Sequence, residues 1–199
     1  MGTDELRKRG IWQDTGVAKA ANAEYYFFDV FEKVFEGTNF IVRPKPQEFS
    51  TIYVNFPISE RNLSEIYSPP APILKHGIAP DYAIEYKVTR KTLYVEVKRQ
   101  DGWVEGKPRS AGRGNAHERS CKYFTPGLLK ILRRESGIHE SALPFWTVFQ
   151  GDITRDPCRV REISCWYDKY TDHYFFWRDT KDPSQLVEHF DQKLKHLLY

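Results

Sequence analysis

The sequence predicts an α/β (α+β) fold, a mixed central β-sheet flanked by helices, and three observations carry that prediction. Phe27, Phe28, Phe31, Val34 and Phe35 recur at helical spacing, whereas residues 82–87 and 92–98 alternate in the period of two that suits a hairpin. Between two helix-start signals lies "LPFWTVFQG" (143–151), a continuous apolar run suited to a strand buried on both faces.

Taken in order, residues 17–36 form an amphipathic helix stopped by Gly37, with its aromatic stripe on the core. Residues 39–43 and 49–56 are short strands, and "SPPAPILKHGIAP" is a Pro-rich loop that delivers the chain to Asp81. The hairpin follows, although its turn lacks Asn-Gly or Asp-Gly. "DGWVEGKPRSAGRGN", with four glycines and no periodicity, is a loop that opens into a helix near Asn115. Thr125 before Pro126 caps a helix over 126–135, and Asp156 before Pro157 starts another that runs to Tyr167. "YFFWR" (174–178) is a strand, and Pro183 opens a last helix with Leu186, Val187, Phe190, Leu194 and Leu197 on its stripe.

A chain of 199 residues suits one domain, 1–199, with a sizeable core. Its 40% hydrophobic and 15% aromatic content excludes a disordered chain, and no apolar run reaches the roughly 20 residues of a membrane span. "MGTDELRKRG" has no apolar signal region, and Leu6 stands where a myristoylation signal places Ser or Thr, so a cytoplasmic location is expected. Cys121, Cys158 and Cys165 are odd in number and lack a C-x-x-C spacing, which points to neither a disulfide framework nor a zinc site. Between Lys87 and Arg134, 13 Lys and Arg stand against 4 acids, in a chain whose net charge is only +3. A basic middle in an otherwise acidic chain suits a polyanion such as nucleic acid, and equally an ordinary solvated face.

Within that middle, Tyr94, Glu96 and Lys98 share one face of their strand while Leu93, Val95 and Val97 share the other. Asp81 at the hairpin mouth and Glu96 make a pair of carboxylates suited to Mg²⁺, a hard cation that takes one or two carboxylates and completes its shell with water and phosphate oxygens. Lys98 beside them is placed to orient or deprotonate an attacking water and to offset the negative charge that grows on a phosphorane. By spacing alone, alternating charges paired across an exposed hairpin account for the same residues. A second constellation is "AGRGNAHERSCK" (111–122). Stepping about 100° per residue from Asn115 puts Asn115, Arg119 and Lys122 on one side and His117, Cys121 and Phe124 on the other. Asn reads adenine and Arg reads guanine bidentately in the major groove, and Gly112, Gly114 and Ala116 allow close approach. A solvent-facing helix whose His117 packs against the body fits the spacing as well.

With "PD" at 80–81, "EVK" at 96–98 and "GNAHER" at 114–119, the chain resembles Type II restriction endonucleases of the PD-(D/E)xK superfamily, in the EcoRI/MunI group. Further likeness runs through "KRQDGWVEGK", "FTPGLLK" and "GDITRDP" and extends, more weakly, over almost the whole length. The resemblance implies a restriction-endonuclease-like core and Mg²⁺ held by Asp81, Glu96 and the main-chain carbonyl of Val97, with Lys98 assisting the attacking water. It also implies that Asn115, Ala116, Glu118 and Arg119 read a central AATT, with Gly114 allowing the approach. By the same resemblance Arg113 would read the outer pair, favouring CAATTG cut after the first C to leave 5′ AATT ends, and Lys122, on the side of Asn115 and Arg119 by spacing, is expected to extend the DNA-facing side. The expected partner is double-stranded DNA bound by a homodimer, because one bidentate contact discriminates by about 1–3 kcal/mol whereas specific binding requires about 4–10. A two-fold dimer doubles the contacts and matches a palindrome. A host would also carry the cognate DNA methyltransferase, which is not expected as a stable partner. Two other functions fit parts of the pattern: a structure-dependent repair nuclease of the same superfamily, and a noncatalytic DNA-binding regulator.

Overall fold

The computed structural model describes residues 21–108 and 117–199. Five strands form one sheet in the order β1-β2-β3-β4-β5, built from β1 (Phe40–Pro44), β2 (Tyr82–Tyr86), β3 (Thr92–Arg99), β4 (Phe145–Gln150) and β5 (Tyr174–Trp177). The first three strands run antiparallel, and β3, β4 and β5 run parallel, so the sheet is mixed as the sequence predicts. Parallel neighbours need crossover connections, and helices supply them. A short 3₁₀ helix (Glu118–Phe124) and α3 (Pro126–Ser136) lie between β3 and β4, and α4 (Pro157–Tyr167) lies between β4 and β5.

Both faces of the sheet are covered. On one, α1 (helical residues 21–35) and the C-terminal helix α5 (Ser184–His189), with the tighter and looser turns that follow it, bury Phe27, Phe31, Phe190 and Leu194 against Ile84, Val95, Val97 and Trp146. On the other, α3 and α4 bury Leu128, Leu132, Ile163 and Tyr167 against Ala83, Tyr94, Phe145 and Phe149. Alternation within β3 therefore holds, with Leu93, Val95 and Val97 toward α1 and Tyr94 toward α3. Successive side chains of β4 likewise split between the two layers, as its unbroken apolar run predicts. Among the described residues, no helix is long and apolar enough to cross a membrane.

The predicted strand over 49–56 is absent. This stretch makes consecutive turns whose donors are satisfied three residues back, Ser50 N–H to the Gln47 carbonyl and Val54 N–H to the Thr51 carbonyl, both at 3.0 Å. Phe49 instead anchors the turn by packing on Tyr94, ring centroids 4.6 Å apart, and its carbonyl accepts from Ile78 N–H at 3.0 Å. The excursion from β1 to β2 is thus pinned at its base. Its short helix α2 (Glu60–Glu65) buries no residue.

Candidate active site

Pairing of β2 with β3 creates the site. Tyr82 lies opposite Val95, and one step outward Asp81 Oδ2 accepts from Val97 N–H at 2.9 Å. Asp81 is 6% exposed and Glu96 5%, so the acids that the hairpin brings together are withdrawn from water. Two carboxylates in such a setting require cationic and hydrogen-bonded company.

That company is arranged by oxygen. Lys98 Nζ lies 2.5 Å from Glu96 Oε1 and 3.6 Å from Asp81 Oδ2, and it donates to the Val97 carbonyl at 3.4 Å. The outer oxygens are held elsewhere: Asp81 Oδ1 by Lys45 Nζ at 2.8 Å, and Glu96 Oε2 by the Tyr123 hydroxyl at 2.7 Å. Burial first, then the charge and hydrogen bond of Glu96, push the Tyr123 phenol far above its usual range, so it remains a donor. For Lys45, burial works downward, but hydrogen bonds to Asp81 and Glu24 outweigh it, and the net direction is upward. The ammonium of Lys98 thus marks one cation-sized position shared by an Asp oxygen, a Glu oxygen and a main-chain carbonyl. All three are hard donors of the kind a magnesium-like ion takes. Among the described residues no group of three or more His, Cys, Asp and Glu is placed to hold a metal ion, so the carbonyl of Val97 is the third donor beside the two acids.

Of the residues expected to face DNA, Arg113, Gly114, Asn115 and Ala116 lie outside the described residues. Glu118, Arg119 and Lys122 are exposed, while Tyr123 beside them is buried. The α-helix expected to open near Asn115 is, from Glu118 to Phe124, a 3₁₀ helix, in which every third side chain aligns. His117, Ser120 and Tyr123 consequently share the buried side, and Arg119 and Lys122 share an exposed one. His117 packs as expected, stacked on Trp166 with ring centroids 5.5 Å apart and its Nδ1 3.2 Å from Gln100 Oε1. Burial, reinforced by the nearby Arg159 charge, holds its pKa below the usual histidine range.

Sequence reasoning missed Lys45, Glu24 and Tyr123. Lys45 follows β1 directly, and because Pro44 pairs with Tyr82, the next residue arrives at Asp81. The one local signal was "RPKP", a lysine between prolines at a strand end. Tyr123 sits two residues before the Thr125 cap and carries no mark of its own.

With this geometry in place, the sequence matches the family of Type II restriction enzyme MunI over residues 1–199. It is 51% identical over 201 residues to "Type II restriction enzyme MunI" from Mycoplasma sp, covering 100% of each chain. Its fold is similar to the crystal structure of MunI restriction endonuclease in complex with cognate DNA, with a TM-score of 0.81 at 51% identity over 94% of this chain and 97% of that one. Family-wide matching of this kind, together with two buried acids and a lysine gathered on a β-hairpin, leads to one conclusion: the chain belongs to the MunI family of Type II restriction endonucleases, site-specific enzymes of a generally divalent-metal-dependent class.

Proposed function

We propose that this endonuclease, a single restriction-endonuclease domain spanning 1–199, hydrolyses both strands of CAATTG in double-stranded DNA after the first C, leaving 5′ AATT overhangs. The observation that carries the reading is the convergence of Asp81 Oδ2, Glu96 Oε1 and the Val97 carbonyl on the Lys98 ammonium. Support for duplex DNA as substrate comes from the similar MunI enzyme, whose structure holds cognate DNA.

In this reading Asp81, Glu96 and the Val97 carbonyl hold Mg²⁺. An ion held there would supply Lewis-acid polarisation of a phosphoryl oxygen and a more acidic water. Lys98 works beside that position: its Nζ orients the attacking water and offsets the charge that grows on the phosphorus oxygens. Val97 N–H keeps Asp81 turned inward, and the Tyr123 hydroxyl does the same for Glu96. Phosphodiester hydrolysis asks for an acceleration near the upper part of the roughly 8–23 kcal/mol that enzymes supply, more than one positioned ammonium provides.

Recognition falls to Asn115, Ala116, Glu118 and Arg119 for AATT, with Gly114 admitting the base edges, Arg113 selecting the outer C·G pair and Lys122 on the DNA side. A homodimer gives each strand its own site and doubles the base contacts. The enzyme works in the bacterial cytoplasm, where a separate methyltransferase protects the host's own sites. Replacing Asp81 with Ala abolishes Mg²⁺-dependent cleavage while DNA binding persists, as read by plasmid digestion beside a gel-shift titration. A variant that cuts at the normal rate sinks the site assignment.

A further inference from the structure

Lys45 is tied to Asp81 twice. Its backbone N–H donates to the Asp81 carbonyl at 2.9 Å, and its Nζ reaches Asp81 Oδ1 at 2.8 Å. The same Nζ lies 2.9 Å from Glu24 Oε2, so a carboxylate on α1 holds the lysine from the far side. To make both contacts the residue adopts φ 43°, a left-handed conformation uncommon for a side chain other than glycine, between Pro44 and a buried Pro46. Its carbonyl is also fixed, accepting from Gln47 Nε2 at 2.6 Å.

The consequence lies in which oxygen remains for an ion. Val97 N–H donates to Oδ2, which keeps a lone pair toward Lys98, while Lys45 Nζ covers Oδ1, so the Asp81 carboxylate is fixed from both ends. Tyr123 covers Glu96 Oε2 in the same manner. Neither acid therefore presents two free oxygens. Ca²⁺ takes six to eight oxygens and commonly grips a carboxylate by both, whereas Mg²⁺ accepts single oxygens in a strict octahedron. We propose that Lys45, held by Glu24, is a positioning residue that restricts Asp81 to coordination through one oxygen and so biases the site toward Mg²⁺ and against Ca²⁺. This deepens the proposed function and rests on its reading of Asp81, Glu96 and Val97 as the ion's ligands.

Calorimetric titration of the full-length protein with Mg²⁺ and with Ca²⁺, without DNA, tests it. Lys45→Met uncovers Oδ1, and the affinity ratio shifts toward Ca²⁺ by about tenfold, the low end of what loss of a ligand's supporting partner does. Lys45→Arg still covers that oxygen and keeps the wild-type ratio. Glu24→Gln leaves the lysine but loosens it, and moves the ratio the same way by a smaller factor. General loosening of the fold, seen as a lower thermal midpoint, weakens both ions alike and leaves the ratio unmoved. An unmoved ratio in Lys45→Met and Glu24→Gln, with metal binding lost in Asp81→Ala, overturns the role of Lys45 and leaves the metal site standing. Wild-type Mg²⁺ binding by Asp81→Ala overturns both.

Discussion

Each acid of the site divides its two oxygens between different neighbours, and the division sets what any one substitution does. Tyr123→Phe leaves Glu96 Oε2 without its 2.7 Å donor in a buried place. The freed carboxylate rotates, and cleavage falls by about 10- to 100-fold with little change in DNA affinity, checked by single-turnover rates at saturating Mg²⁺. A second residue governs stability. His173 is buried, donates through Nδ1 to the Phe145 carbonyl at 3.0 Å and accepts Leu143 N–H on Nε2 at 3.2 Å, a pattern that requires the neutral ring. Burial lowers its pKa from 6.5 to about 4. The unfolded chain therefore takes up the proton first on acidification: the stabilisation is complete above pH 6.5 and is lost as the pH falls through 4. The loss amounts to roughly 3 kcal/mol, and urea unfolding across that window shows it as a slope that is shallower in His173→Gln, where the lowered His117 and His189 still contribute. The gathering of Asp81, Glu96 and Lys98 was legible because strand alternation marks the last two, the hairpin mouth marks the first, and the PD and EVK pieces mark all three. Lys45, Glu24 and Tyr123 were not, because they come from three other segments and become neighbours only through sheet pairing and helix packing.

At the scale of elements, the turn from β4 into α4 shows how local chemistry holds the layer beside the site. Asp156 caps α4 by accepting Cys158 N–H at 2.9 Å and Arg159 N–H at 3.2 Å on Oδ1, while Oδ2 accepts Glu105 N–H at 3.3 Å. One side chain thus ties the helix to the loop after β3. Asp156→Ala lowers the unfolding free energy by about 1–2 kcal/mol, read as a shift in the urea midpoint at constant slope. Helix starts were read closely, since α3 and α4 begin at Pro126 and Pro157 as the sequence marks them; but of these two only Asp156 caps with its side chain, the Thr125 hydroxyl donating to the Lys122 carbonyl at 2.7 Å instead. Residues 49–56 misled because β-formers such as Ile52, Tyr53 and Val54 lie there beside an apolar core, yet local turns and a bond from Tyr53 N–H to the His76 carbonyl at 3.0 Å satisfy the backbone. The 3₁₀ winding of Glu118–Phe124 was equally hidden, since a few tens of degrees per residue separate it from an α-helix.

Over the whole molecule, the mixed sheet carries an aromatic layer on each side, and Asp81, Glu96 and Lys98 lie where β2 and β3 part at one end. The basic middle of the chain contains most of what the proposal assigns to DNA: Glu96 and Lys98 on β3, and Arg119 and Lys122 on the exposed side of the 3₁₀ helix. The mixed sheet and its flanking helices were legible from periodicity because strands and helices here carry clean apolar patterns. The contacts between distant segments were not, since register across a sheet is a property of the folded chain. The most direct measurement is to digest a plasmid of known sequence with this protein in Mg²⁺ and sequence every fragment end. The account predicts discrete fragments that all begin with 5′ AATT and all derive from CAATTG; uncut plasmid, or breaks scattered at structural irregularities without a shared sequence, would contradict it.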